Sequence, residues 1–436
     1  MGIVLRNALL ADIDPIGVEA GDLRVDGGRI VARGTIAPAA GDEQIDCGGA
    51  VVLPGLVNGH THLYSALAVG MPAPPWAPRN FLEILQLVWW RLDRALDAES
   101  IEASAAIGAL EALAAGTTTL IDHHASPNFI AGSLDLLERG IRSVGLRGVL
   151  CYETTDRHGP QGRDAGLEEN RRYLDKCAAR RDGFMGALAG AHASFTLEDQ
   201  SLDELAAMAE RFQSGVHIHV AEDPWDEQDC KKRYGLALVQ RLTDHGLLRP
   251  GSVWAHGTHL DAAAIEKVNT AGVTLAHNPR SNMNNAVGYA PIGRFKCPVM
   301  LGTDGIGADM FAEARHAWFK SRDGGAGISP NDVLTMLSTS ARRASAALGM
   351  VLGRLSDGAA ADIVITDYVP FTPLDSGNFA GHFLFALGSQ HVRHVLVDGQ
   401  WALRDGLALG CDAAGVRRRG LDAARRLWET MQTIAP

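Results

Sequence analysis

The stretch "VVLPGLVNGHTHLYSAL", residues 51–67, decides the fold. An apolar run that reads as a buried strand ends in His60 and His62. Residues i and i+2 of a strand point to the same face, so both imidazoles face one side of whatever the strand joins. Seven further short apolar runs follow: "GTTTLIDHH", "VGLRGVLCYE", "FMGALAGAHASF", "GVHIHVAED", "SVWAHGTHL", "GVTLAHNP" and "VMLGTDG". Helix-like segments such as "ESIEASAAIGALEALAAG" and "SLDELAAMAERFQS" separate most of them. Eight uniformly apolar runs alternating with helices predict a (β/α)8 barrel of the TIM type, whose parallel strands are buried on both faces.

Polar residues cluster where those runs end. His60 and His62, His123 and His124, Glu153, His192, His219 and Glu222, His256, His277 and Asp304 all fall at or just after the last apolar positions. Barrels of this kind build their sites at the C-terminal ends of the strands, so these side chains are expected to converge on one mouth. A polar rim would explain any one of them; recurrence at every run asks for chemistry. Two neutral imidazoles suit Zn²⁺ or Fe²⁺. His219 from the fifth run and Asp304 from the eighth complete three imidazoles and a carboxylate, leaving a position open for water. His217 has the same strand parity as His219 and competes with it.

The flanks have another rhythm. "GDLRVDGGRIVARG" carries a hairpin signal, because Asp-Gly and Gly-Gly permit positive φ. "GRLSDGAAADIVITDY" and "HVRHVLVDGQWALRDG" repeat that strand-and-turn character near the other end. The expectation is a small β-sandwich domain assembled from residues 1–52 and 355–410, a barrel over 53–354, and a C-terminal helix over 411–436.

Composition narrows the partners. The chain has 436 residues, 46% of them hydrophobic, with 40 basic against 51 acidic side chains and a net charge of −11. No basic stripe stands out, so nucleic acid is not expected. The run Arg417, Arg418, Arg419, with Arg425 and Arg426, reads as a solvated helix face. No apolar stretch approaches the roughly 20 residues of a membrane span, and six cysteines lie scattered without a CxxC pair. The reading is a cytoplasmic protein with reduced thiols, acting on a small molecule, as a homodimer or larger homo-oligomer if it assembles.

"PGLVNGHTH", "HVAE", "AHGTHL", "HNPRSNM" and "GTDG" resemble the amidohydrolase superfamily in its branch of metal-dependent aminohydrolases. "HHASP", "CYETTDRHG" and "NPRSNMNNAVGYAP" look closer still to the subgroup called SsnA. The resemblance covers nearly the whole chain. It implies one divalent metal, zinc or iron, held by His60, His62, His219 and Asp304, and it selects His219 over His217. It implies Glu222 as a proton shuttle, Asp304 as the base for the attacking water, and His256 as the group that polarises it. Glu222 has the wrong parity to share His219's face, so the chain must leave strand geometry after Val220.

The implied reaction is hydrolytic deamination of an amino-substituted N-heterocycle. Rivals are hydrolysis of a cyclic amide or of a halogenated triazine, and a non-catalytic barrel that only binds. Many cyclic-amide hydrolases bridge two metals with a carboxylated lysine on the fourth strand. "GFMGALAGAHASF" has no lysine. Candidate substrate contacts are His192, Trp76, Arg157 and Asn278. Three have a plainer reading: His192 as a buried structural histidine, Arg157 in a surface ion pair, Asn278 pinning the seventh loop. In "GMPAPPWAPRNFLEILQLVWWRLD" the prolines stiffen a loop. Trp89 and Trp90 are expected to pack in a core or a dimer contact rather than roof the site.

Overall fold

A computed structural model of the chain describes residues 2–435. Each of the eight runs contains a strand. Leu56–Thr61, Thr117–His124, Arg147–Tyr152 and Met185–Ala187 form one parallel sheet. Ala189–Ala193, Val216–Val220, Val253–His256, Thr274–His277 and Val299–Leu301 form a second. The fourth run, "FMGALAGAHASF", supplies a strand to each. Parallel bridges Thr61–Asp304 and Thr154–Ala191 join the sheets at both edges. The first three strands are buried at every position, as strands covered on both faces must be.

Helices follow the strands. Ala98–Ala114 starts at a capping box, with Asp97 accepting from Ser100 N and the Ser100 side chain accepting from Asp97 N. Its small residues let Ser133–Val144 approach closely: a Cβ on Gly140 would sit 2.6 Å from Ala105 Cβ.

The ends of the chain meet in a separate nine-stranded sheet. Ile363–Thr366 runs antiparallel to Val51–Pro54, which pairs in parallel with Ile3–Ile13. The "VDGG" turn has Gly27 and Gly28 at φ 56° and 78°, the positive pair that a tight hairpin requires. The chain passes from this sheet to the first parallel strand at Gly55, where a Cβ would lie 2.4 Å from Thr118 Oγ1. The last helix, Ala413–Thr433, packs on Ala98–Ala114 and keeps Arg417, Arg418 and Arg419 exposed. Among the described residues no helix is long and apolar enough to cross a membrane.

Candidate active site

The strand ends meet at one pocket. His62 Nε2 lies 2.9 Å from Asp304 Oδ1 and 3.2 Å from His219 Nε2, and His60 Nε2 lies 3.3 Å from Asp304 Oδ1. Backbone bonds fix this spacing: Thr303 N and Asp304 N both donate to His60 O, at 2.8 and 3.0 Å, and His62 N donates to Asp304 O at 3.2 Å. Gly302 makes the approach possible, since a Cβ there would be 2.6 Å from His60 Cβ. Asp304 itself is held at φ 55°, a conformation that costs about 1–3 kcal/mol outside glycine.

The four donor atoms suit a divalent ion. Ligands about 2.0–2.1 Å from a tetrahedral centre lie roughly 3.3 Å apart, close to the separations above. Among the described residues His60 Nε2 is buried without a hydrogen-bond partner, as an atom reserved for a metal would be. Donor atoms of His60, His219, His256 and Asp304 also fall within 4.8 Å of one another, so His256 competes geometrically with His62. The shorter contacts of His62 to both Asp304 and His219 favour His62. His256 faces elsewhere: its Nε2 is 3.4 Å from Glu222 Oε2, and its Nδ1 donates to Asn282 Oδ1 at 2.9 Å.

Glu222 reaches the pocket by the departure from strand geometry that its parity demands. Val216–Val220 ends, Ala221 turns at φ 50°, and Asp226 Oδ2 accepts from Ala221 N at 2.9 Å to hold the turn. Glu222 then lines the pocket with His62, His219 and Asp304. Burial raises its carboxyl to about 7 despite the nearby His256, which places it in the range useful to a general acid. On His62, burial disfavours the charge, but the Asp304 carboxylate overrides it and holds the proton up to about 9. Burial takes His60 down to about 3.

Other candidates separate. His192 lines the pocket; its Nδ1 lies 2.6 Å from Thr196 Oγ1 and its Nε2 is 3.3 Å from Glu153 Oε1. Glu153 also lines the pocket, and His123 Nδ1 is 3.3 Å from its other oxygen. Burial opposes charge on Glu153, but His192 and His123 hold it well below the usual carboxylate range. His124 bonds Ser126 Oγ at 2.9 Å, and His277 is buried outside the pocket lining. Trp76 lines a neighbouring surface groove instead and is 52% exposed. Arg157 stands behind the wall, stacked on Trp90 at 4.3 Å. Asn278 is fully buried beside His256, 3.4 Å from its Nδ1, and also stays out of the lining. Asp156 caps the next helix segment through Glu198 N and Ser201 Oγ.

Trp89 and Trp90 pack on apolar clusters and form part of a cover over the site as well. Both line the pocket with Phe81 and Leu85. This cover packs against Phe195 and Val287 from two other loops. A turn of π-helix at Leu85–Trp89 interrupts the lid between two short helices, a feature frequent at functional sites. Sequence reasoning also missed Ser281, whose hydroxyl donates to Asp304 Oδ2 at 2.5 Å, and Asp122, whose Oδ1 accepts from Leu63 N at 2.6 Å. "HNPRSNM" contained Ser281 and Asn282, but nothing in the spacing marks them as supports.

The amidohydrolase family model matches residues 51–402. The chain belongs to the amidohydrolase family. This amidohydrolase is 29% identical over 450 residues to a 5-methylthioadenosine/S-adenosylhomocysteine deaminase of Desulforudis audaxviator, covering 99% of the chain and 100% of the relative. It is 31% identical over 424 residues to the enzyme of the same name from Halobacterium salinarum, covering 94% of each. Among solved structures it superimposes on an adenosine deaminase from Xanthomonas campestris with bound zinc at a TM-score of 0.84 and 23% identity, covering 99% of both chains.

Proposed function

We propose that this amidohydrolase is a metal-dependent hydrolytic deaminase of an amino-substituted N-heterocycle, releasing ammonia. The observation that carries the reading is the placement of Glu222 beside the converged donors of His62, His219 and Asp304 in one pocket. The relatives named as deaminases of adenosine derivatives support the reaction class.

His60, His62, His219 and Asp304 would hold one divalent ion, zinc by the chemistry of three imidazoles and a carboxylate. Such an ion, when bound, lowers the pKa of water from 15.7 to about 7 and so supplies a nucleophile at neutral pH. Asp304, oriented by Ser281, takes the proton of the attacking water. Glu222 protonates the ring nitrogen next to the carbon under attack; Asp304 passes the water's proton to the departing amine, and the proton left on the added oxygen returns to Glu222 as the C–N bond breaks. His256, held by Asn282, polarises the attacking water. His192 and the aromatic lid position the ring. The pairing of Val51–Pro54 with Ile363–Thr366 supports one domain built from residues 1–52 and 355–410. The edge bridges support closure of residues 53–354 into a (β/α)8 barrel, with 411–436 as an added helix.

The test is ammonia release from a panel of aminated purines, pterins, pyrimidines and triazines, run with metal-replete protein. Release from none of them, with metal bound, overturns the proposal.

A further inference from the structure

Two polar atoms in the pocket wall have nothing to bond. Asp93 Oδ1 and the indole Nε1–H of Trp90 are buried without a hydrogen-bond partner among the described residues, and both residues line the pocket. They stand three positions apart on the lid helix Trp90–Ala95, hence on one face of it. Asp93 is only 2% exposed. Leaving a buried acceptor and a buried donor unpaired is costly, and the cost is recovered when a ligand supplies both partners.

The groups around them are already committed. Arg157 Nη2 donates to Asp93 Oδ2 at 3.3 Å, and its Nε donates to Thr155 Oγ1 at 3.2 Å. The same guanidinium lies over the Trp90 ring. Arg157 therefore clamps the lid from behind. It occupies one oxygen of Asp93 and leaves the other. The neighbouring wall, Phe81, Leu85 and Phe195, offers no polar atom to a flat ring.

We infer that Asp93 Oδ1 and Trp90 Nε1 recognise a lactam edge of the heterocycle, an N–H beside a C=O, distinct from the edge that carries the amino group. The carboxylate accepts the ring N–H and the indole donates to the carbonyl. The inference rests on the deamination reading and narrows it: the substrate class is an amino-oxo heterocycle with a free lactam N–H, and substitution on that nitrogen excludes a compound. A site built to bond an N–H discriminates strongly against an analogue lacking it, because its own buried group is left unpaired.

The experiment uses the metal-replete full-length protein and three amino-oxo probes: a purine, a pterin and a pyrimidine. Each is paired with its lactam N-methyl derivative. Two readouts are taken, kcat and KM from ammonia release and equilibrium binding by calorimetry. In the wild type the N–H member of an accepted pair should be preferred by about 10²-fold or more. In Asp93→Asn, Arg157 still requires the acceptor oxygen, so the amide NH₂ replaces Oδ1 and faces the ring N–H. The preference should fall below about tenfold, through KM more than kcat. Trp90→Phe keeps the ring and removes only the donor; it should weaken every oxo compound by about tenfold. Equal losses for both members of each pair in Asp93→Asn mean that the residue is only structural, and they overturn the inference. No preference in the wild type, or no binding of any probe, overturns it as well. If probes bind with the stated preference but release no ammonia, the deamination reading fails and the recognition of a lactam edge stands.

Discussion

His60 Nδ1 lies 2.8 Å from His217 Nε2, wholly inside the protein. The contact assigns the role of the residue that shares strand parity with His219. The Cys151 thiol donates to Asp122 O at 3.5 Å, and His217 Nδ1 is 3.7 Å from Cys151 Sγ. With the thiol proton so placed, His217 donates from Nδ1 to the sulfur and accepts at Nε2 from His60 Nδ1–H. His60 Nε2 is then a bare lone pair aimed at Asp304. His217 thus sets the tautomer of a neighbour, as partners of metal-bound histidines commonly do.

His217→Phe should therefore weaken metal affinity by about 10- to 100-fold while the fold stays intact. Competition with a chelator of known affinity, read beside circular dichroism, measures both. Unchanged affinity would show that His60 keeps its orientation without the partner.

Glu222→Gln preserves shape and removes the exchangeable proton. Metal per chain should stay near the wild-type value, and kcat should fall by at least about 10²-fold. Asp304→Asn should lose both, because Asp304 touches His60 and His62 directly. Elemental analysis against kcat for the two variants separates the roles. A fully active Glu222→Gln protein refutes the shuttle; a metal-free one means the ligand set is misassigned.

The strand ends are legible in the sequence because burial on both faces forces uniformly apolar runs, and polar residues at their ends then stand out. Even Glu222 is legible in part: its parity calls for a break after Val220, and Ala221 at φ 50° makes that break. The supports are not legible. Ser281, Asn282 and His217 act across the mouth between strands distant in sequence, and no local spacing encodes such contacts. The lid is ambiguous for another reason. Phe81, Leu85, Trp89 and Trp90 carry the same apolar pattern whether they pack on a core or roof a cavity, and only the position of Phe195 and Val287 decides it.

Asp14 links the end sheet to the parallel unit, accepting from Arg342 Nη1 at 2.6 Å and Arg354 Nη2 at 3.1 Å. Burial would raise its pKa, but the two guanidinium groups outweigh that and hold it below the usual value. A depressed carboxyl stabilises the fold above the unfolded pKa, about 3.9, and that contribution is lost as pH falls through the folded value. Both arginines are more than two-fifths exposed in their side chains, so Asp14→Asn should cost about 1 kcal/mol or less at pH 7. Urea unfolding at a series of pH values checks it: the gap between variant and wild type should close on acidification. A gap that widens would contradict the assignment.

Arg147 makes the stronger link, and it lies at the start of the third parallel strand. Its Nε and Nη2 donate to the two oxygens of Asp362 at 2.9 and 3.0 Å; Nη2 also reaches Asp398 at 2.9 Å and Nη1 reaches Gly183 O at 2.7 Å. Arg147 is fully buried and Asp362 nearly so. Removing one partner of such a pair leaves an uncompensated buried charge, which typically costs about 3–5 kcal/mol. Arg147→Met should therefore lower stability by that amount, measured by urea unfolding. Replacing both partners, Arg147→Met with Asp362→Leu, should recover a large part, because the stranded carboxylate is gone. The double variant is the decisive comparison. If it is no more stable than Arg147→Met alone, the cost lies in lost packing and backbone bonds around Gly183 and Asp398. If it recovers, the cost lies in the stranded charge.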